Sequence, residues 1–518
     1  MRLASSDADA LARRIFVPFD PGGAISTQRF CRPWRSVDGV SSVRSKPIFF
    51  YEIADGFVVV TDHKSDIAEV LRHDIESYGI SVMPGAGARR PRHSRHNVRV
   101  SYAKIGLRSA LVDMENATLQ RVFKAFHYRD FRLMWIGACT SSIGTWMQIV
   151  AQGWLIYRLS HSSFLLGLDQ FLAGLPIFLF SLLGGVVADR AERRKILIIS
   201  QYVQMASAGT LTLLVATGLV HVWHILSLSF VSGLAQAFGG PAYQALIPTL
   251  VDREDMPNAI ALNSIQFNLA VTVGPALAGV TLGRLGEKWC FGLNAVSFLA
   301  PIISLTMISA RFLPEKSTES MFKSLKQGIH FIWQQGAMVA LIVLAFAMTF
   351  LSMPMRTYIP VFVKDIFHRG PETYGNLLSL MGVGSIFGSL GVASLGNISK
   401  KGQFALSMLV ILGAGIAGFS LSKRLPLSYG MLVVVGASMM AVFATVTSLV
   451  QLNITNEMRG RVMSVYNFAF RGGMPMGNLV SGWLVPVFTA PIVLGVNGFL
   501  LILVALYFLL VQRRVAAL

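Results

Sequence analysis

The sequence predicts an all-α polytopic membrane protein: twelve transmembrane helices in two six-helix pseudo-repeats, preceded by a poorly structured N-terminal extension. The first observation behind this prediction is composition, because 53% of the 518 residues are hydrophobic and only 14% are charged, whereas a soluble domain carries roughly 25% charged residues. The second is a series of apolar segments that are each long enough to cross a bilayer. The third is an uneven distribution of Lys and Arg between alternate loops.

Residues 1–120 differ from the rest of the chain, since they are rich in charged residues and contain no apolar run of span length. We expect either a mostly disordered cytosolic tail or an over-extended start, because a chain counted from Met114 has the compact length of a twelve-span protein. Within it, Phe57–Asp62 is a candidate strand and Ile67–His73 is a candidate helix. The basic run at 89–99 contains no aromatic residue, so we interpret it as a solvated segment and expect no nucleic-acid partner.

From Arg132 onward the chain alternates between apolar segments and short polar loops. Its apolar segments centre on 133–157, 164–188, 196–218, 223–243, 258–283, 289–310, 337–363, 373–395, 404–421, 427–452, 462–485 and 491–512.

Twelve spans place both ends of the bundle on one side of the membrane, and the basic residues indicate which side. The loops on the side of the two ends carry 18 Lys and Arg, against seven on the other side. By the positive-inside rule, both ends are predicted to be cytoplasmic in a bacterial inner membrane. The formal net charge of +19 is explained by these loops.

The longest connection follows the sixth span. It divides the predicted bundle into an N-terminal half, 121–310, a cytoplasmic linker, 311–336, and a C-terminal half, 337–518. The halves resemble each other, because Pro275 in the fifth span has a counterpart 200 residues later, Pro475 in the eleventh. Paired halves with matching helix breakers are typical of transporters built from repeats.

One loop motif supports a family resemblance. The residues after the second span, Gly185, Asp189, Arg190, Arg193 and Arg194 followed by Lys195, resemble the loop signature of the major facilitator superfamily, although Glu192 stands where that signature has glycine. Four further stretches are similar to its enterobactin-exporter-like, or transmembrane secretion effector, branch: Gly144–Gln148, Pro257–Ser264, Gly274–Gly279 and Arg459–Tyr466.

The resemblance covers about residues 120–512. It implies the major facilitator fold and a proton-driven exporter of a drug, a siderophore or a similar small organic molecule, which works by alternating access. It also associates the fifth-span motif Gly274, Pro275 and Gly279 with export, although close helix packing and a helix bend explain these residues as well.

Asp189 is a candidate gating residue. An aspartate at the carboxyl end of a helix opposes the helix dipole, so it needs a cationic partner, for which Arg190, the following basic run and Arg461 are candidates. A salt bridge between the halves would hold the outward-facing state. The alternative is a solvated turn that only sets topology.

Three charges are predicted inside the membrane, where each costs a few kcal/mol. Asp169 near the outer end of the second span is the candidate proton site, and an interfacial aspartate bonded to a loop is the alternative. Arg356, in the outer part of the seventh span, is a further candidate for coupling or substrate binding. Arg471, the deepest of the three, is a candidate contact for an anionic substrate or a structural residue bonded to helix ends.

Uncharged polar residues on several spans are candidates for the wall of a central cavity, and we expect about half of them to face it while the others bond between helices. They are Gln148, Gln152, Gln236, Asn263 and Gln266. With so few fixed charges, such a pocket suits an amphipathic or apolar organic molecule.

Other function classes find less support in the sequence. A lysolipid transporter of the same fold and a transporter-like sensor remain alternatives. No phosphate-binding loop, metal-ligand cluster or nucleophile motif occurs, so we expect no enzyme activity, no cofactor and no metal. The expected partners are a small organic substrate, protons and the lipid bilayer, and the expected oligomeric state is a monomer.

Overall fold

The computed structural model describes residues 49–53, 56–60, 123–308, 321–394, 400–455 and 457–518. Residues 1–102 form one compact unit and residues 103–518 another. In the first unit, β1 (Phe49–Ile53) and β2 (Gly56–Val60) pair antiparallel as a hairpin. Strand β2 overlaps the strand considered at Phe57–Asp62, while the helix considered at Ile67–His73 and the basic run at 89–99 lie outside the described residues.

The first half of the second unit contains six membrane-length helical segments. They are α1 (Arg129–Ser160), α2 (Ser163–Arg190), α3 (Arg193–Ala216), α4 (Val222–Leu246), α5 (Met256–Arg284) and the broken pair α6 (Glu287–Ser297) and α7 (Leu299–Met307).

An amphipathic helix, α8 (Met321–Gln334), precedes the second half. The segments of that half are α9 (Gly336–Ser352) with α10 (Pro354–Val361), α11 (Pro371–Ser394), α12 (Lys401–Leu421), α13 (Leu425–Leu452), α14 (Arg459–Phe488) and α15 (Ala490–Leu506). The described residues therefore contain twelve membrane-length segments in two groups of six, and the predicted fold class is confirmed.

Hydropathy identifies ten of these segments as candidate membrane spans, with mean hydropathy between 1.3 and 2.6. The remaining two, α1 and α14, have 32 and 30 residues and are long enough to cross at 1.5 Å per residue. Polar side chains such as Gln148 and Gln152 in α1, and Arg459, Arg461 and Arg471 in α14, make them less apolar. Both line the cavity described below.

Corresponding helices pack in the same way in both halves. A Cβ at Gly184 in α2 would lie 2.2 Å from the carbonyl oxygen of Ala237 in α4, and one at Gly388 in α11 would lie 2.2 Å from that of Ala437 in α13. Both contacts need glycine because backbone meets backbone there. The pseudo-repeat is thus expressed in packing as well as in sequence.

The two halves meet through α2 against α14 and α5 against α11. We call the end of the bundle where α1 begins and α15 ends the terminal face, and the other end the opposite face. Between α5 and α11, Gly279 packs on Gly375 and Gly283 on Glu372, all in the parts of these helices nearer the opposite face.

Contacts between the halves become sparse toward the terminal face. Gly185 near the end of α2, Gly391 near the end of α11 and Gly460 at the start of α14 have no described atom within 4 Å of a Cβ position. Deeper in the bundle, Phe178 of α2 still contacts Phe468 of α14, with their ring centres 4.3 Å apart. The bundle is therefore closed at the opposite face and looser at the terminal face.

A polar cluster at the terminal face fixes the start of α1. Lys124 forms a 2.7 Å ion pair with Asp255, the Tyr128 hydroxyl donates hydrogen bonds to Asp252 and Asp255, and the Ala125 amide donates to Asn258. We call Lys124, Tyr128 and Asp255 the terminal clamp. It ties the chain before α1 to the first turn of α5.

Candidate functional site

A cavity of about 120 Å³ lies between the two halves. The first half contributes Trp146, Gly153, Asp169, Gln170 and Pro275 to its wall, and the second half contributes Met353, Arg356, Thr357, Tyr374, Met474 and Asn478. Most of the wall is apolar or aromatic, with a few polar groups that converge on the space. This is the usual composition of a site for an organic ligand.

Asp169 of α2 is the carboxylate of this cavity and is 1% exposed. The Gln152 amide nitrogen lies 2.9 Å from both of its oxygens, the Ser229 hydroxyl donates to Oδ1 at 2.6 Å, and the Gln170 amide donates to Oδ2 at 3.1 Å. The alternative of an interfacial aspartate bonded to a loop is wrong, because all three partners are helical side chains. No described cation lies within 4 Å of this carboxylate.

The hydrogen bonds to Asp169 extend into a chain of amides. The Gln148 amide donates weakly to Gln152 Oε1 at 3.5 Å, and the Asn294 amide donates to Gln148 Oε1 at 2.6 Å. Gln148 and Gln152 thus lie on one face of α1, as predicted, where Gln152 bonds the Asp169 carboxylate and Gln148 bonds Gln152. Because these hydrogen-bond donors are neutral, they stabilise the carboxylate without cancelling its charge.

Arg356 reaches the same cavity from the second half. Its helix, α10, begins at Pro354 directly after α9 ends, and its guanidinium carbon lies 4.7 Å from the centre of the Trp146 ring across the boundary between the halves. Its Nε is buried without a hydrogen-bond partner. No described Asp or Glu lies within 4 Å of it.

Several cavity residues were missed by the sequence analysis, among them Tyr374, Thr357 and Asn478. Tyr374 of α11 is buried and its ring stacks on that of Trp154, with the centres 6.3 Å apart. Asn478 of α14 accepts a 2.9 Å hydrogen bond from Thr357. Single uncharged polar residues at regular positions in apolar helices carry little signal, and only the pairing of helices across the boundary brings these three together.

Arg471 lies on the side of α14 that faces the cavity, three and seven residues before Met474 and Asn478, two cavity-lining residues. Its side chain is exposed, one turn closer to the terminal face than the cavity itself. The structural alternative of bonds to helix-end carbonyls is not seen in the described residues. Arg471 and Arg356 are thus two cations at successive depths between the halves.

Three predicted cavity residues lie elsewhere. Asn263 accepts a 2.8 Å hydrogen bond from the Tyr243 hydroxyl, Gln266 donates to the carbonyl of Ala138, and Gln236 is exposed on α4, away from the cavity wall. Asn263 and Gln266 join neighbouring helices, which is the second of the two roles expected for the uncharged candidates.

The fifth-span motif packs helices together. A Cβ at Gly274 would lie 2.5 Å from Trp146 Cβ, and Gly279 lies against Gly375 of α11. Pro275 lines the cavity, and its carbonyl oxygen also approaches Gly375. The motif therefore lets α5 contact both α1 and the second half.

The residues of the loop motif after α2 have separate positions. Arg193 donates to the carbonyls of Ala188 and Ala245, and Arg194 donates to those of Thr306 and Ile308 at the end of α7. Arg190 is exposed. For Asp189 the backbone alone is described, at the penultimate position of α2, so its pairing with Arg461 stays a prediction.

The opposite face is closed by a polar contact between the halves. The Tyr157 hydroxyl of α1 donates a hydrogen bond to Asp365 in the π-helical turn Phe362–Ile366 after α10, and Lys364 lies 5.5 Å from the Tyr157 ring centre. Nearby, Arg158 pairs with Glu287 at 3.3 Å within the first half.

Two six-helix halves around a central site with intramembrane charges define a multi-pass membrane transporter. The profile of the transmembrane secretion effector family matches residues 121–517, and the chain belongs to this family of the major facilitator superfamily.

Individual relatives are distant in sequence. The multidrug efflux pump Tap of Mycolicibacterium fortuitum is 23% identical over 360 residues, which is 68% of this chain and 88% of the relative. The enterobactin exporter EntS of Escherichia coli O1:K1 is 25% identical over 394 residues, or 74% and 91% of the two chains.

Solved structures share the fold at low identity. A POT family transporter in complex with 5-aminolevulinic acid superposes with a TM-score of 0.63 at 11% identity, covering 75% of this chain and 97% of that one. A bacterial homologue of the human lysosomal transporter Spinster, in an inward-facing and unoccupied conformation, gives 0.60 at 13% identity, with coverage of 75% and 97%.

Proposed function

We propose that this protein is a proton-coupled exporter of a small organic molecule, working by alternating access in a bacterial inner membrane with both ends of the bundle cytoplasmic. The observation that carries the proposal is Asp169, a buried carboxylate without a cationic partner among the described residues, in a cavity between two halves. Efflux pumps and a siderophore exporter among the relatives support the direction of transport.

Asp169 has the environment that a coupling residue needs. Burial in the membrane opposes the ionised carboxylate, whereas three donated hydrogen bonds favour it. Proton coupling requires both protonation states, and a change in water access would shift the balance between them. Opening the cavity to one side and then to the other would thus load and release a proton.

The packing of the halves supports alternating access. With the terminal face cytoplasmic, closed contacts at the opposite face and looser contacts at the terminal face correspond to an inward-facing conformation, in which substrate enters from the cytosol. Closure of the terminal face would require α2 to approach α14 near Gly185 and Gly460, where the described residues leave room for it.

The proposal is tested in everted membrane vesicles that hold an acidic interior, with a pH-sensitive dye as the readout. Ethidium, erythromycin and a catechol siderophore are added in turn. Transport coupled to protons predicts an alkaline shift of the interior for at least one compound, and a protonophore should abolish uptake of that compound.

The variant Asp169→Asn keeps the shape of the side chain but removes the proton-binding group. We expect it to abolish proton movement while substrate binding persists, and Glu254→Gln, an exposed carboxylate in the α4–α5 loop, should behave like wild type. Proton-coupled uptake that persists in Asp169→Asn would contradict the role of this residue. Uptake that continues unchanged in the presence of the protonophore would contradict proton coupling itself.

A further inference from the structure

We propose that Arg356 is the anion-binding residue of the cavity and that the transported molecule is an organic anion, with a carboxylate or another planar acidic group attached to an apolar or aromatic body. The inference rests on the proposed transport function and names its substrate class. It starts from a charge that the described protein leaves without a counter-charge.

A charged side chain in the membrane normally pairs with an opposite charge or with backbone carbonyls, or faces a water-filled cavity. Asp169, the carboxylate of the same cavity, is already occupied by three neutral donors and lies more than 4 Å from any described basic group. Arg356 Nε is buried without a partner. The described residues therefore provide no counter-charge for the Arg356 guanidinium, and a ligand would have to supply it.

The donors of Arg356 suit a planar anion. Its guanidinium carbon lies 4.7 Å from the centre of the Trp146 ring, and this cation–π contact stabilises the positive charge. No described hydrogen bond uses the guanidinium N–H groups, so they are available to a ligand. A carboxylate can then accept two parallel hydrogen bonds, which is the arrangement that distinguishes Arg from Lys.

The rest of the wall indicates the body of the ligand. Trp146, Tyr374, Met353 and Met474 present aromatic rings and flexible thioethers, which accommodate apolar groups of varied shape. The volume of about 120 Å³ is below the roughly 300–1,000 Å³ of sites that enclose a whole drug-sized ligand. In this conformation the cavity therefore has room for the acidic head group, and the body extends toward the looser terminal face, past the second cation, Arg471.

The test uses purified protein in nanodiscs and three probes of one shape: 2-naphthoate, 2-naphthamide and 2-naphthylmethylammonium. Binding is measured by calorimetry and by quenching of tryptophan fluorescence. Because a hydrogen bond to a charged group is stronger than one to a neutral group, we expect the carboxylate to bind at least about tenfold more tightly than the amide, and the ammonium to bind weakest.

The variant Arg356→Gln should remove the preference for the carboxylate, while Arg356→Lys should retain part of it. Arg369→Gln, which removes an exposed arginine beyond the opposite end of α10, is the matched control for net charge. Equal elution profiles and melting temperatures show that each variant is folded.

Three results would each overturn the inference. Wild-type protein could bind the amide or the ammonium as tightly as the carboxylate, wild-type protein could fail to bind the carboxylate, or Arg356→Gln protein could keep the full preference. Failure of the proposed function looks different, because it removes proton-coupled uptake of every compound in vesicles. Proton-coupled uptake of ethidium that is unaffected by Arg356→Gln would leave the exporter in place and refute its specificity for anions.

Discussion

The Tyr157 hydroxyl donates a hydrogen bond to the Asp365 carboxylate across the boundary between the two halves. Tyr157 is 5% exposed, at the end of α1 on the opposite face, and Asp365 belongs to a turn that continues the same helical segment as Arg356. This contact therefore links closure of the opposite face to the segment that carries the cation of the cavity.

Removal of the Tyr157 hydroxyl should favour opening of the opposite face. Tyr157→Phe deletes one hydrogen bond to a charged but exposed carboxylate, which we expect to contribute about 1 kcal/mol, or a factor of about five in the ratio of the two conformations. Distances between spin labels at Leu219 and Lys423, in a variant without native cysteines, should show a larger population with separated halves. Tyr202→Phe, which alters an exposed tyrosine of α3, should leave the distribution unchanged.

The terminal clamp should respond to pH at both extremes. The hydrogen bond from Lys124 lowers the pKa of Asp255 and raises the pKa of Lys124. The hydrogen bond from Tyr128 to Asp255, together with burial, raises the pKa of Tyr128 to about 12. A lowered carboxyl pKa stabilises the clamp above the unfolded value near 3.8, and this contribution is lost as the pH falls through the folded value. The raised pKa values of Lys124 and Tyr128 mean that these groups stabilise the clamp below about pH 10. This contribution is lost as the pH rises through their folded values.

Hydrogen exchange at the Ala125 amide, which donates to Asn258, measures the clamp directly. After correction for intrinsic exchange chemistry, its protection should be constant between about pH 5 and 9 and should fall below about pH 4. Asp255→Asn should reduce protection at pH 7 to the low-pH level. Protection independent of pH in the wild type would show that the Phe126–Trp135 ring contact, and not the charges, holds this segment.

Much of the fold could be predicted from sequence because the membrane imposes length and hydropathy on each span. The twelve predicted segments correspond to the twelve observed ones, and even α1 and α14, the two that are more polar, were placed correctly. The break between α6 and α7 and the one between α9 and α10 were not predicted, although a proline follows each of them. Pro301 in α7 and Pro354 at the start of α10 have no amide hydrogen to donate to the preceding turn.

The candidate site could be predicted in its charged part and in the face of α1 that carries Gln148 and Gln152, but not in its other uncharged residues. Asp169 and Arg356 stand out because burying a charge in the membrane costs free energy, so a charged residue in an apolar segment indicates a functional site. Tyr374 and Asn478 did not stand out, and Asn263 and Gln266, which were candidates for the cavity wall, join helices instead. Uncharged polar residues on membrane helices serve both purposes equally well, and only the rotation of each helix decides between them.

Gly274→Ala should destabilise the protein. The added methyl group would lie 2.5 Å from Trp146 Cβ and 2.9 Å from the Ile143 carbonyl oxygen, so α5 and α1 must separate, at a cost of about 1–3 kcal/mol. Gly209→Ala in α3 is the matched control, because a Cβ there meets no described atom within 4 Å and alanine favours the helix. We expect the melting temperature in nanodiscs to fall for Gly274→Ala and to stay the same or rise for Gly209→Ala; equal melting temperatures would contradict the tight α1–α5 contact.

Asp189 and Arg461 provide the last prediction, which concerns closure of the terminal face. Asp189 is the penultimate residue of α2 and Arg461 the third residue of α14, the two helices that pack against each other between the halves. A salt bridge between them would form only when the terminal face closes, and it would stabilise the outward-facing state. Asp189→Asn and Arg461→Gln should therefore each slow transport without weakening binding of substrate to the inward-facing state.

A double-mutant cycle separates pairing from independent effects. If the two side chains pair, the double variant should transport no more slowly than the slower single variant, because the second substitution removes a partner that is already lost. Rates that multiply would show that Asp189 and Arg461 act separately, with Asp189 limited to topology. Arg459→Gln, which removes a neighbouring charge two residues earlier on α14, controls for net charge at this face, and its combination with Asp189→Asn should be multiplicative.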